Sequence, residues 1–175
     1  MDAPALDLDQ IWAWLDAVPD PEIPVVSVVD LGIVRAVELG ADGACVVTIT
    51  PTYSGCPAMA VIAADVGDAL RARGLAEVRV VSRLSPAWTT DWMSEQGKAK
   101  LKAYGIAAPL RPVVDIVDIS GLHAGIRRGA PPLVVACPLC GARHTRLVSQ
   151  FGSTPCKALY QCQACREPFD YFKCH

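Results

Sequence analysis

Eight cysteines stand in this 175-residue chain, and their spacing separates two kinds of chemistry. Cys137-Pro-Leu-Cys140 and Cys162-Gln-Ala-Cys165 are two C-x-x-C pairs with 21 residues between them. Two residues between paired cysteines let both thiolates reach one ion from a tight turn, and two such turns complete a tetrahedral four-sulfur shell. Gly141 suits the first turn because its backbone tolerates positive φ. A shell filled by four protein ligands leaves no open position for substrate, so the expected metal is structural: zinc, with iron as the alternative that the same donors accept. A tail of 43 residues buries too little surface to fold alone, so the ion would serve as its core.

The other cysteines are scattered. Cys56 sits in Tyr53-Ser-Gly-Cys-Pro57, at the expected N-cap of a helix. There the helix dipole and unpaired amides would favour thiolate, and with it metal or sulfur chemistry. The bland alternative is a small buried residue that happens to start a helix. Cys45 alternates inward with Val47 and Ile49 on a strand and is expected in the core. Cys156 is either an ordinary thiol or an alternative ligand or transfer thiol near the cage, and Cys174 is likewise surplus to the four ligands. Asp20, Glu22 and Asp30 flank a proline-fixed turn, where carboxylates either bind metal or cap backbone amides, capping being the commoner role. Trp88 and Trp92 are expected at the domain's rim.

Those groups need elements to hold them. Leu8, Ile11, Trp12, Leu15 and Val18 recur at helical spacing over residues 6–18. Pro19, Pro21 and Pro24 then force a turn. The β-branched run Val25–Leu39, the turn Gly40-Ala-Asp-Gly43 and the segment Cys45–Thr50 suggest a hairpin. A buried helix follows Pro57 and stops at Gly74. Val78–Leu84 offers a third strand, and residues 90–104 a last helix with Lys98, Lys100 and Lys102 exposed. This α-β-β-α-β-α order predicts an α+β domain, a small mixed sheet with packed helices, over residues 1–105. Residues 106–132 are expected to be a Pro/Gly-containing connector in which Val113–Ile119 could add a strand, and residues 133–175 the four-cysteine zinc ribbon.

Composition bounds the function classes. The net charge is −2 and 52% of residues are hydrophobic, which fits a folded protein with no global pull toward nucleic acid. The tail is mildly basic, with Arg143, Arg146, Lys157, Arg166 and Lys173 against Glu167 and Asp170, which supports docking weakly and nucleic-acid binding less. No apolar run approaches the roughly 20 residues of a membrane helix, and the acidic start lacks the basic flank of a secretory signal. A cytoplasmic location is therefore expected, where reducing conditions favour metal ligation over disulfides. No nucleotide loop, Ser-His-Asp spacing or H-E-x-x-H helix supports independent catalysis.

Asp20-Pro-Glu-Ile-Pro-Val-Val-Ser-Val-Val-Asp-Leu-Gly32, Thr50-Pro-Thr-Tyr-Ser-Gly-Cys-Pro57 and Ser85-Pro-Ala-Trp-Thr-Thr-Asp-Trp-Met93 resemble the MIP18-like (DUF59) family of iron–sulfur assembly proteins. With the C-terminal run Phe151–Lys173 added, the whole chain resembles the D-type subunits of phenylacetyl-CoA epoxygenase complexes, in which a diiron oxygenase is fed by a flavin and [2Fe–2S] reductase. The resemblance implies a non-catalytic accessory role in phenylacetate degradation, maturing or maintaining an iron–sulfur or iron centre, with the oxygenase and reductase subunits as partners. Direct, stoichiometric participation in turnover is the alternative. The family's Gly-Cys-Pro cysteine falls on Cys56, implying transient handling of iron or a cluster there. One cysteine could hold a cluster only with ligands from a homodimer partner, a client or glutathione.

Overall fold

The structure is a computed structural model that describes residues 7–40, 42–110 and 134–173. The expected strand over 113–119, together with Cys174 and His175, lies outside the described residues.

Helix α1 (Leu8–Asp16) begins where the Asp7 carboxylate accepts the Asp9 amide, and it buries Ile11 and Leu15. The proline segment then closes on itself. The Asp20 amide donates to the Val26 carbonyl, and Asp20 Oδ1 accepts the Glu22 and Ile23 amides at 2.9 and 2.8 Å. The β-branched run is only partly strand: β1 spans Val34–Leu39, and residues 25–33 form buried turns. The reason is local competition. Ser27 and Asp30 satisfy each other's amides through their side chains, and Gly32 takes φ +66°. A Cβ at Gly32 would lie 2.7 Å from the Trp92 Cβ, so a side chain there is excluded by contact as well as by conformation.

Strand β2 (Cys45–Ile49) pairs antiparallel with β1, as the turn residues predict. Helix α2 (Met59–Arg71) crosses over to β3 (Val78–Ser82), which pairs parallel with β2, giving the order β1-β2-β3. Gly74, at φ +97°, follows the helix's last turn. The last expected helix is divided into a 3-10 turn, Thr90–Trp92, and α3 (Glu95–Ala103), because Ser94 restarts the helix as an N-cap by accepting the Gly97 amide at 2.8 Å. Lys100 is not simply exposed: its ammonium lies 2.6 Å from the buried Asp30 carboxylate.

The tail forms a second antiparallel sheet of β4 (Thr145–Ser149), β5 (Lys157–Cys162) and β6 (Pro168–Phe172). Its own core gathers Val135, Cys137, Ala158, Tyr160, Cys162, Phe169 and Tyr171. The two units are stitched together. Ala107, at the start of the expected connector, donates to the Asp170 carbonyl at 2.8 Å and accepts the Phe172 amide at 2.9 Å. Phe172 and Cys156 leave the tail's core and join the apolar core of the first domain. Trp88, expected at the rim, is instead 3% exposed, packs its ring 6.0 Å from that of Phe172, and donates to the Leu31 carbonyl.

Candidate metal centre and an interdomain thiol pocket

The four sulfurs of Cys137, Cys140, Cys162 and Cys165 lie within 4.8 Å of one another, the only such group of three or more His, Cys, Asp or Glu among the described residues. Each knuckle is shaped by its backbone. Gly141 adopts φ +76° and its amide bonds the Cys137 carbonyl, while the Cys165 amide points at the Cys162 sulfur at 3.5 Å. The cross-pairs Cys137–Cys165 and Cys140–Cys162 stand at 3.8 and 3.6 Å. Four sulfurs each about 2.3 Å from a tetrahedral ion would be about 3.8 Å apart. The two cross-pairs therefore already stand at the separation of a metal shell. The Cys165 amide draws the Cys162 thiol down to about 6. Cys165, despite a hydrogen bond from the Glu167 amide, is pushed up to about 12 by burial and its three sulfur neighbours. Sulfurs so crowded cannot all carry charge unless a cation shares it.

A second convergence of thiols joins the two units. Cys56 and Cys156 line one cavity with Asp20, Glu22, Thr52 and Phe172, and its volume of about 10 Å³ admits a single water-sized group. Cys56 comes from the loop between β2 and α2, and Cys156 from the turn before β5. Lys157 is buried beside them with its ammonium 3.6 Å from Asp170. The Thr154 hydroxyl is 3.0 Å from the Cys156 sulfur.

The expected activation of Cys56 is not what the structure provides. The N-cap of α2 is Ala58, so Cys56 stands two residues ahead of it. Its thiol is pushed up, first by burial, which a backbone hydrogen bond from Ala58 only partly offsets, and further by Glu22, Cys156 and Asp20. Cys156 is raised in the same way, against a lowering hydrogen bond from Thr154. Burial also raises Asp20 despite its two amide bonds and the Lys157 charge, and it raises Glu22, which Asp20 pushes further and Lys157 opposes. The pocket thus gathers four acidic groups whose charged forms burial disfavours, the two thiols among them.

Asp30 is not brought to this pocket. Its carboxylate takes Ser27 N–H, Ser94 O–H and the Lys100 ammonium, joining the proline turn to α3. Burial works to raise its pKa, and the Lys100 and Ser94 hydrogen bonds outweigh that and lower it. Asp20 and Asp30 therefore cap amides, as capping predicts, and Cys45 is fully buried in the core. Lys157, Thr154 and Phe172 join the site without any expectation from the sequence. Phe172 did carry a signal: Tyr171 and Phe172 are consecutive aromatics, and adjacent strand residues face opposite sides, so β6 had to be covered on both faces.

The fold and its two thiol clusters define a class of protein: a small α+β domain with a loop cysteine, carrying a cysteine-caged β-ribbon. Residues 8–82 match the family described as iron-sulfur cluster assembly protein, and residues 124–173 match the PaaD zinc beta ribbon domain. Among curated relatives, the chain is 47% identical over 165 residues to an Escherichia coli (strain K12) protein named as the D-type subunit of 1,2-phenylacetyl-CoA epoxidase, covering 94% of this chain and 92% of that one. The chain belongs to the family of these D-type epoxidase subunits.

The chain is also 39% identical over 94 residues to a Porphyromonas gingivalis (strain ATCC BAA-308 / W83) Fe-S protein maturation auxiliary factor, over 53% of this chain and 89% of that one. A crystal structure of a DUF59 domain from Bacillus anthracis is also similar, with a TM-score of 0.49 at 34% identity, over 53% of this chain and 89% of that one. No helix among the described residues is long and apolar enough to cross a membrane.

Proposed function

We propose that this protein is a cytoplasmic accessory factor of the phenylacetyl-CoA epoxidase system that matures or maintains an iron or iron–sulfur centre of the oxygenase or reductase subunits. The single observation that carries this is the placement of Cys56, whose thiol lines a small cavity together with a second thiol and two carboxylates. Similarity to a D-type epoxidase subunit and to Fe-S maturation factors supports the same reading. In it, the ribbon holds a structural zinc ion, and Cys56 handles iron or sulfur transiently. A raised thiol pKa suits that task, because a protonated thiol holds no metal of its own and gains one only when a cation displaces the proton.

The test is a Cys56→Ala strain. Its epoxidase complex is expected to be poor in iron or cluster, with activity falling in proportion. Full metal content and full activity would refute a role for Cys56. The relative's naming as an epoxidase subunit favours a second reading, in which the protein acts stoichiometrically during turnover. Reconstitution of purified, fully metallated partners with and without this chain separates the two: an accessory factor leaves the rate unchanged, and a turnover component is required.

A further inference from the structure

The cavity beneath Cys56 belongs to neither unit alone. Asp20, Glu22, Thr52 and Cys56 line it from the first domain, and Cys156 and Phe172 from the ribbon. At about 10 Å³ it has room for one atom-sized guest and none for a two- or four-iron cluster. Its polar lining is two sulfurs, two carboxylates and one hydroxyl. The basic residue beside it, Lys157, is turned to Asp170. The Tyr53 hydroxyl, whose ionisation is linked to Cys56, Glu22 and Cys156, is buried with no hydrogen-bond partner. A small space whose polar lining is two sulfurs, two carboxylates and a hydroxyl, set among Ile23, Leu31, Ile33 and Ile62 and with the nearby Lys157 charge engaged by Asp170, fits a divalent transition ion better than an organic ligand. Asp20 already spends Oδ1 on two backbone amides, which leaves the half-buried Glu22 as the carboxylate able to turn toward a guest.

We infer that Cys56 and Cys156 together hold a single divalent iron-group cation between the two domains, with Glu22 as a third donor, as a second metal site beside the ribbon cage. The inference rests on Cys56 being the iron- or sulfur-handling thiol and deepens that reading: the cargo is one ion rather than a cluster. On binding, each thiol transfers its proton to solvent as its sulfur bonds to the metal, so two protons leave per ion and no oxidation state changes. These donors do not converge as closely as the ribbon sulfurs do. The site therefore closes around its ion by side-chain rotation and binds more weakly and reversibly than the cage, as a carrier requires.

The experiment titrates the full chain, purified without oxygen and with its ribbon filled with zinc, using Fe(II) and, as an optical probe of thiolate binding, Cd(II). One equivalent beyond the ribbon metal is expected, with release of two protons in weakly buffered solution and a sulfur-to-cadmium absorption of the intensity given by two thiolates per ion. Cys56→Ser and Cys156→Ser should each weaken that uptake by more than about tenfold while ribbon zinc, measured by elemental analysis, stays in place. Glu22→Gln should weaken it less. The inference is overturned if the unmodified protein takes up no ion beyond the ribbon's, if the absorption corresponds to one thiolate or none, or if Cys156→Ser protein with intact ribbon zinc binds as the unmodified protein does. If the second ion is absent while the Cys56→Ala strain still starves the epoxidase of iron, the single-ion inference falls alone. If that strain is also normal, the broader reading falls with it.

Discussion

The ribbon quartet and the interdomain pair use the same thiol chemistry to opposite ends. In the ribbon, four sulfurs are held within 4.8 Å by two short knuckles at the edge of a thin sheet. Little apolar core surrounds them, so an ion must supply the stability that packing does not. In the pocket, Cys56 and Cys156 are drawn from distant parts of the chain, Cys156 embedded in an extensive apolar core and Cys56 packed half-buried against it. That core holds whether or not a guest is bound. Spacing along the chain makes a permanent site, and tertiary packing makes one that can stay empty.

The contrast is broken most severely at the ribbon. Cys162→Ser should abolish stoichiometric metal in the purified protein and remove a contribution on the order of 10 kcal/mol to the tail's folding. Elemental analysis and loss of the dispersed amide resonances of β4 to β6 would measure this. Retained dispersion without metal would show that packing suffices after all.

Phe172→Ala tests whether the two regions are one cooperative body. Truncating this buried ring should cost roughly 3–5 kcal/mol. Since Phe172 belongs to the core of the first domain, the loss should appear in chemical denaturation followed from Trp88 and Trp92 as well as in the ribbon signals. A ribbon-only effect would mean that the units fold independently.

The smallest effect belongs to Asp30, away from both thiol clusters. Its pKa is lowered in the fold, so the stability it contributes is present above the ordinary carboxylate pKa of 3.8 and is lost as pH falls through its lower folded value. Lys100 is partly exposed, so solvent screening keeps the contribution modest. Asp30→Asn should therefore lower the denaturation midpoint at pH 7 by a small amount that vanishes in strong acid. A difference persisting undiminished below the folded pKa would point to lost packing instead of lost charge.

What could be read from the sequence follows the same division. Cys137, Cys140, Cys162 and Cys165 were legible because the chemistry of a knuckle is contained in four consecutive residues. Helices α1 and α2 were legible because periodicity is local, and the β1–β2 hairpin because its turn residues lie between the strands. The pocket was not, since no local pattern places Cys156 against Cys56 or turns Lys157 toward Asp170. The β-branched stretch before β1 misled in the opposite direction. Its residues have strand propensity, and the side chains of Ser27 and Asp30 took over the backbone partners that a sheet would have used. The expected thiolate at Cys56 failed for a similar reason: helix position is written in the chain, whereas burial and neighbouring carboxylates are set by the fold.

The pairing of Ala107 with β6 carries a consequence for how the polypeptide is threaded. Ala107 and Val135 stand at either end of the stretch that includes residues 111–133, and both are buried in the ribbon's own core. The backbone thus reaches the ribbon before that stretch begins and is still in it when the stretch ends. Contacts made outside residues 111–133 already join the two halves, so a protease nick between them need not release the ribbon.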